Sequence, residues 1–251
     1  MDLSALPTAG VLPPRARAAR WRPGLSEGAQ HSEIFAPGDE GSGAAVALAL
    51  ALDTLAATEQ RSVLWVQDKA ARRLAGRPYR PGLPESLRSR VIHVAAATPE
   101  DALFALEEGL RCRELACVIG ELAGNPRTLD FTASRRLAFA AERHGVPLFL
   151  VRLDAARDLS AARMRWQVRA APSPPPRWNP QAPGAPSWRA ELFRARAHPP
   201  GEWILRALED GLSVSGFESS PEGSDERRIP TPVRPGEDQK PQAEGLSRMT
   251  A

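Results

Sequence analysis

Lysine is almost missing from this 251-residue chain: of its 33 Lys and Arg residues only Lys69 and Lys240 are lysines. Cysteine is equally scarce, at two, and tyrosine occurs once. Cys112 and Cys117 stand five positions apart without a second pair, and the histidines are His31, His93, His144 and His198. A structural zinc site takes about four N or S ligands at close spacing, which this distribution does not offer, so no metal is expected. Two lone thiols in apolar surroundings read as small core residues of a protein kept in a reducing compartment. Long apolar runs are absent too. The Ala-rich stretch 44–52 is far shorter than the ~20 residues of a membrane span. Residues 1–20 carry Pro and Arg and never string together the ~7 apolar residues of a secretory leader. These absences predict a cytoplasmic protein without membrane contact.

What is abundant is proline and arginine. The 25 Pro are about twice the ~5% of average usage. Residues 1–170 hold 11 of them and residues 171–251 hold 14, so a regularly folded body is followed by something different. The 31 Arg suit phosphate and carboxylate recognition, because guanidinium makes planar bidentate contacts. A GC-rich coding sequence supplies the same excess without any ligand. The formal charge of +3 divides into +5 for residues 1–212 and −2 for residues 213–251. A mildly basic body with an acidic tail permits nucleic-acid contact without demanding it.

Along the chain, residues 1–30 form an arm, with Pro13 and Pro14 before Arg15, Arg17, Arg20, Trp21 and Arg22. Residues 32–36 then read as a strand and 44–57 as a helix, with Leu48, Leu52 and Leu55 on one stripe. Residues 62–67 are a buried-type strand, and Asp68 caps a short helix that Gly76 ends. Residues 77–89 are a loop. Strands follow at 90–95, 115–119, 147–152 and 165–170, alternating with helices at 98–111, 129–144 and 155–164. Thr98-Pro99 starts the first of these helices, as cap and first-turn proline. Such alternation predicts right-handed βαβ crossovers and a mostly parallel sheet flanked by helices over residues 31–170. Residues 171–212 read as a proline loop with Trp178, then a β-hairpin in which Trp188, Ala190 and Leu192 alternate while Phe193 falls out of step. Ser, Glu, Pro and Gly dominate residues 213–251, which predicts a disordered tail.

Residues 38–45 read Gly-Asp-Glu-Gly-Ser-Gly-Ala-Ala, between a strand and a helix where a phosphate-binding P-loop belongs. Gly38 and Gly43 keep the spacing of that motif. Ala44 stands where it needs the lysine that reaches the terminal phosphates, and Ala45 where it needs the magnesium-ligating hydroxyl. Asp39 and Glu40 add negative charge beside a would-be polyphosphate. At the end of strand 115–119 Gly120 takes the place of a metal-orienting carboxylate. Alternation sends Glu121 to the other face. Asp68 can sit at a catalytic-carboxylate position, but without a phosphate-gripping cation it has little to act on, and Lys69 is poorly placed to substitute. No nucleotide cofactor and no ATPase activity are expected.

Residues 32–50 resemble the strand, P-loop and helix of the RecA-like fold. Over residues 31–203 the chain is similar to the ImuA family, RecA/SulA-like accessory proteins of damage-induced mutagenesis. The segments that carry this are Leu64-Trp65-Val66-Gln67-Asp68, Pro78-Tyr79-Arg80-Pro81-Gly82-Leu83 and residues 105–112, with Thr132-Ala133-Ser134-Arg135-Arg136-Leu137-Ala138 and Gly184-Ala185-Pro186-Ser187-Trp188-Arg189 further on. The resemblance implies a RecA-like domain with a degenerate P-loop. Its partners are then an ImuB-like polymerase adaptor, RecA and an error-prone C-family DNA polymerase, in translesion synthesis within the SOS response.

Arg177, Trp178, Trp188, Arg189, Arg194, Arg196 and Trp203 are the candidate contact residues. They can clamp single-stranded DNA weakly, form a protein interface or a contact with a second copy of the chain, or simply pack the hairpin on the domain. Two other functions stay open: a SulA-like cell-division inhibitor, and a divergent RecA-like ATPase.

Overall fold

In a computed structural model, the described residues are 30–55, 59–208 and 211–216. All belong to one compact unit, Met1–Phe217. Residues 1–29 of the expected 1–30 arm, and the expected tail beyond residue 216, lie outside the described residues.

The order of elements is β1 (His31–Ala36), α1 (Ser42–Thr54), β2 (Ser62–Gln67), α2 (Lys69–Ala75), α3 (Glu85–Arg88), β3 (Val91–Ala95), α4 (Pro99–Arg111), β4 (Leu115–Ala123), α5 (Phe131–His144), β5 (Leu148–Leu153), β6 (Met164–Ala170), β7 (Ser187–Ala195), β8 (Gly201–Leu208) and β9 (Gly211–Gly216). One sheet runs in the order β3-β2-β4-β5-β1-β6-β7-β8-β9. From β3 to β6 every pairing is parallel. From β6 to β9 every pairing is antiparallel. The expected α/β architecture, a mostly parallel sheet with flanking helices and a C-terminal antiparallel extension, is therefore the observed one.

Local chemistry explains the boundaries. Thr98 accepts a hydrogen bond from the Asp101 amide at the start of α4, with Pro99 in the first turn. Leu103, Leu106 and Leu110 are buried from that helix against the sheet. Asp68 accepts from the Ala71 amide and Gly76 ends α2. Asp130 caps α5 through the Ala133 amide, and Gly145 closes it in the left-handed conformation at φ 71°. The long apolar faces of β4 and β5 sit mid-sheet, where α4 and α5 cover one side and α1 the other.

The short helix α3 inside the expected loop 77–89, where Leu87 is buried, differs from the sequence reading, as do four further details. First, the buried face of α1 is Gly43, Val46, Ala47, Leu50 and Ala51, while Leu48, Leu52 and Leu55 pack only partly buried. Small residues let α1 approach the sheet closely: a Cβ on Gly43 would lie 2.7 Å from Val151 Cγ1 and 2.8 Å from the Ala36 Cβ.

Second, residues 155–163 form no helix. They lie over a polar patch of the sheet that an apolar helix face cannot cover. Glu33, fully buried on β1, accepts from Ser160 Oγ at 2.8 Å and from Arg165 Nε at 2.8 Å. Arg152 approaches the same carboxylate at 3.9 Å. The Ala156 amide donates to Asn125 Oδ1 at 2.7 Å and the Ala161 amide to Ser134 Oγ at 3.0 Å. In a helix those donors past its first turn would be consumed internally.

Third, Phe193 is out of step because β7 carries a bulge. Arg165 pairs with Arg194 but Trp166 pairs with Leu192, so Phe193 is the extra residue. It packs edge-on against Phe35, with ring centroids 5.8 Å apart, and under the Arg157 guanidinium at 3.8 Å. Fourth, β9 carries regular structure past residue 212. Leu212 and Val214 alternate with serines and pack at the core beside α1, a period hidden by the polar composition around it. Cys117 is a core residue as expected, but Cys112 is exposed.

Candidate functional site

The corner between β1 and α1 is built from short side chains and backbone. The Gly38 amide donates to Asp154 Oδ1 at 2.8 Å. Ser42 Oγ donates to Glu40 Oε1 at 2.6 Å, and that oxygen also accepts from the Ala170 amide at 3.0 Å. Two carboxylates of the protein therefore hold the loop, one to the end of β5 and one to the end of β6. Gly41 precedes the helix, and no side chain caps α1.

Beside this corner lies a cleft of about 250 Å³, bounded by Ala44, Ala45 and Leu48 of α1, by Trp65 and Glu121 of the sheet and by Tyr79 and Leu83. Tyr79 stands at its rim, 73% exposed. The position of Glu121 corrects the sequence reading. On β4, Val118 and Leu122 belong to the α4 side and Ile119 to the α1 side, so alternation places Glu121 with Ile119, beside Ala44 and Ala45. Gly120 faces α4 instead, where a Cβ would meet Leu106 and Leu150 at 2.9 Å.

Glu121 is buried, and Trp65 Nε1 donates to its Oε1 at 2.5 Å. Burial pushes the carboxyl above its ordinary range, and the bond from Trp65 with the nearby Gln67 amide only partly offsets this. Gln67 bridges outward, donating to the Gly76 carbonyl at 2.8 Å and meeting His93 Nε2 at 2.9 Å. Asp68, likewise raised by burial, is committed to capping α2. Lys69 opens α2 as an exposed residue. A carboxylic acid beneath apolar walls can donate or accept a hydrogen bond. The cleft's cation is Arg77, on the rim beside Tyr79, and neither Ala44 nor Ala45 adds a lysine or hydroxyl to it. Among the described residues no three His, Cys, Asp or Glu gather in a metal-ligating cluster.

The Trp/Arg set does not assemble into one surface. Trp188 and Trp203 are buried, and Trp203 stands edge-on to Trp166 with ring centroids 6.0 Å apart. Arg189 points to the opposite face of β7 and pairs with Glu202 at 2.8 Å. Arg177 and Trp178 are exposed in the proline segment, Trp178 at 82%. Arg194 and Arg196 are exposed at the end of β7, beside α5. Sequence reasoning missed two features. The Glu121 cleft required the phase of β4, whereas Phe131, Arg135 and Phe139 at i, i+4 and i+8 were open to a helical reading.

The fold defines a class: an α/β protein with a largely parallel, helix-flanked sheet that continues into C-terminal antiparallel strands. No protein-family model matches the chain. Curated relatives do. It is 34% identical over 211 residues to Protein ImuA of Caulobacter vibrioides strain NA1000 / CB15N, covering 77% of this chain and 81% of that protein. The same values hold for Protein ImuA of Caulobacter vibrioides strain ATCC 19089 / CIP 103742 / CB 15. The chain belongs to the ImuA family. No helix among the described residues is long and apolar enough to cross a membrane.

Proposed function

We propose that this protein is a non-catalytic accessory protein of damage-induced mutagenesis. It acts by binding an ImuB-like polymerase adaptor, RecA or an error-prone C-family polymerase through a RecA-like body with a degenerate P-loop, and it runs no ATP cycle. Family membership supports the setting. The observation that carries the non-catalytic reading is the β1–α1 corner, where the Gly38 amide is taken by Asp154 and Ala44 and Ala45 replace the cation and the hydroxyl. A phosphate there would meet Asp39, Glu40 and Asp154 without a compensating lysine, and like charges in a partly desolvated loop disfavour it.

The test uses the full chain. Pull-down with purified adaptor, RecA and polymerase is expected to retain at least one of them, with ATP turnover at the blank rate. Retention of none would sink the partner reading, and ATP turnover above the blank rate would restore an ATPase. In cells, a deletion is expected to lower ultraviolet-induced mutation frequency. Septation arrest on overproduction with unchanged mutation frequency would instead mark a cell-division inhibitor.

A further inference from the structure

On the sheet face opposite α1 runs a second, larger depression of about 590 Å³ between α5 and the end of β7. α5 turns Phe131, Arg135 and Phe139 outward along one stripe spanning ~12 Å. Phe131 is 50% exposed and Phe139 60%. Across from them stand Arg194 and Arg196, and residues 160–163 form the floor. The groove's carboxylate, Glu142, is neutralised by Arg163, whose Nη2 lies 2.7 Å from Oε2. Arg135, Arg194 and Arg196 are exposed and take part in no ion pair among the described residues. A further guanidinium, that of Arg143, sits 5.8 Å from the Phe139 ring centroid.

We propose that this groove binds single-stranded nucleic acid, with phosphates on Arg135, Arg194 and Arg196 and bases stacked on Phe131 and Phe139. Uncompensated cations beside exposed aromatic faces are what a strand of phosphates and bases requires, whatever its sequence. A protein partner fits less well. Interface cores shed charge and gather contiguous apolar surface, whereas here three exposed guanidinium groups border the two rings and the lining carboxylate, Glu142, is already taken by Arg163. This site is remote from the Ala44 corner, and its success or failure is independent of whether the protein binds an adaptor.

Fluorescence anisotropy of the full chain with a labelled 20-mer of oligo(dT), between 50 and 200 mM salt, tests it. The triple variant Arg135→Glu/Arg194→Glu/Arg196→Glu is compared with Arg73→Glu/Arg113→Glu/Arg169→Glu, which carries the same charge change on exposed residues elsewhere. Loss of three phosphate contacts is expected to flatten the log–log salt slope by about 2 and to weaken binding far more than the control does. Phe131→Ala/Phe139→Ala is expected to weaken it by about tenfold or more with the slope unchanged. That pair carries the same test if the triple variant fails to fold. Oligo(U) binding as tightly would extend the ligand to RNA. Equal binding by the groove and control triples, tighter binding to blunt duplex, or no oligonucleotide binding alongside groove-dependent binding of polyglutamate would each overturn the proposal.

Discussion

Asp154 holds the Gly38 amide at 2.8 Å, fastening the end of β5 to the loop that follows β1. It does so from a left-handed backbone at φ 49°, a region that Asn and Asp tolerate better than other side chains. Asp154→Asn keeps both the acceptor and that tolerance, so its stability is expected within about 0.5 kcal/mol of the parent. Asp154→Ala loses the bond and keeps the strain, for a combined loss of about 2 kcal/mol. Urea titration of both variants decides it. An alanine variant as stable as the parent would show that the contact does not hold the loop.

Two glycines make a matched pair. At Gly43 a Cβ meets the Ala36 Cβ at 2.8 Å, fixed on the backbone, and Val151 Cγ1 at 2.7 Å, on a β-branched side chain that is stiff at χ1. At Gly120 it meets Leu106 Cδ2 and Leu150 Cδ1, each at 2.9 Å and each at the end of a rotatable side chain. Gly43→Ala must therefore push α1 off the sheet and is expected to cost about 1–3 kcal/mol. Gly120→Ala needs only leucine rotamers to shift and is expected to cost less. Thermal melts in which Gly120→Ala is the more damaging would contradict the close seating of α1.

Glu121 links burial to pH. Its folded-state carboxyl titrates above its ordinary 4.5 because of burial, so the folded state holds a proton that the unfolded chain releases. Stability contributed by that proton is present below pH 4.5 and is lost as the pH rises through the folded value. Glu121→Gln keeps an acceptor for Trp65 Nε1 and has nothing to ionise. Relative to the parent it is expected to gain stability at pH 8 and to match it near pH 4. Equal differences at the two pH values would mean that the carboxyl is not held protonated.

Much of this was legible in the sequence, because the signals were local. Thr98-Pro99, Asp68 and Gly76 mark helix ends within one turn of the bonds they make, and the strand–helix alternation carried the parallel sheet. What was hidden depends on distant partners. Residues 155–164 have helical propensity, but Ser160 bonds Glu33 across 127 positions, and that polar patch outweighs a few tenths of a kcal/mol per residue of propensity. The phase of Glu121 was set by Leu106 and Leu150 packing around Gly120. Trp188 and Trp203 share an arginine-rich segment, yet alternation buries the rings and leaves Arg189 outside, so composition alone suggested a surface that pairing takes apart.

His31 provides the opposite pH dependence from Glu121. It is fully buried at the start of β1, and burial lowers it to about 4, with Arg152 and Arg165 lowering it and Glu33 and a backbone contact at Ser134 opposing them. Between pH 6.5 and about 4 the unfolded chain takes up a proton that the folded imidazole refuses. The stability conferred by neutral His31 is therefore whole above pH 6.5 and drains away as the pH falls to 4. A displacement from 6.5 to about 4 corresponds to about 3 kcal/mol across that window. His31→Leu removes the titration while keeping an apolar side chain in place. Denaturant midpoints at pH 7.5, 6 and 5 are expected to fall steeply for the parent and much less for the variant. Parallel slopes for the two proteins would show that acid sensitivity arises elsewhere.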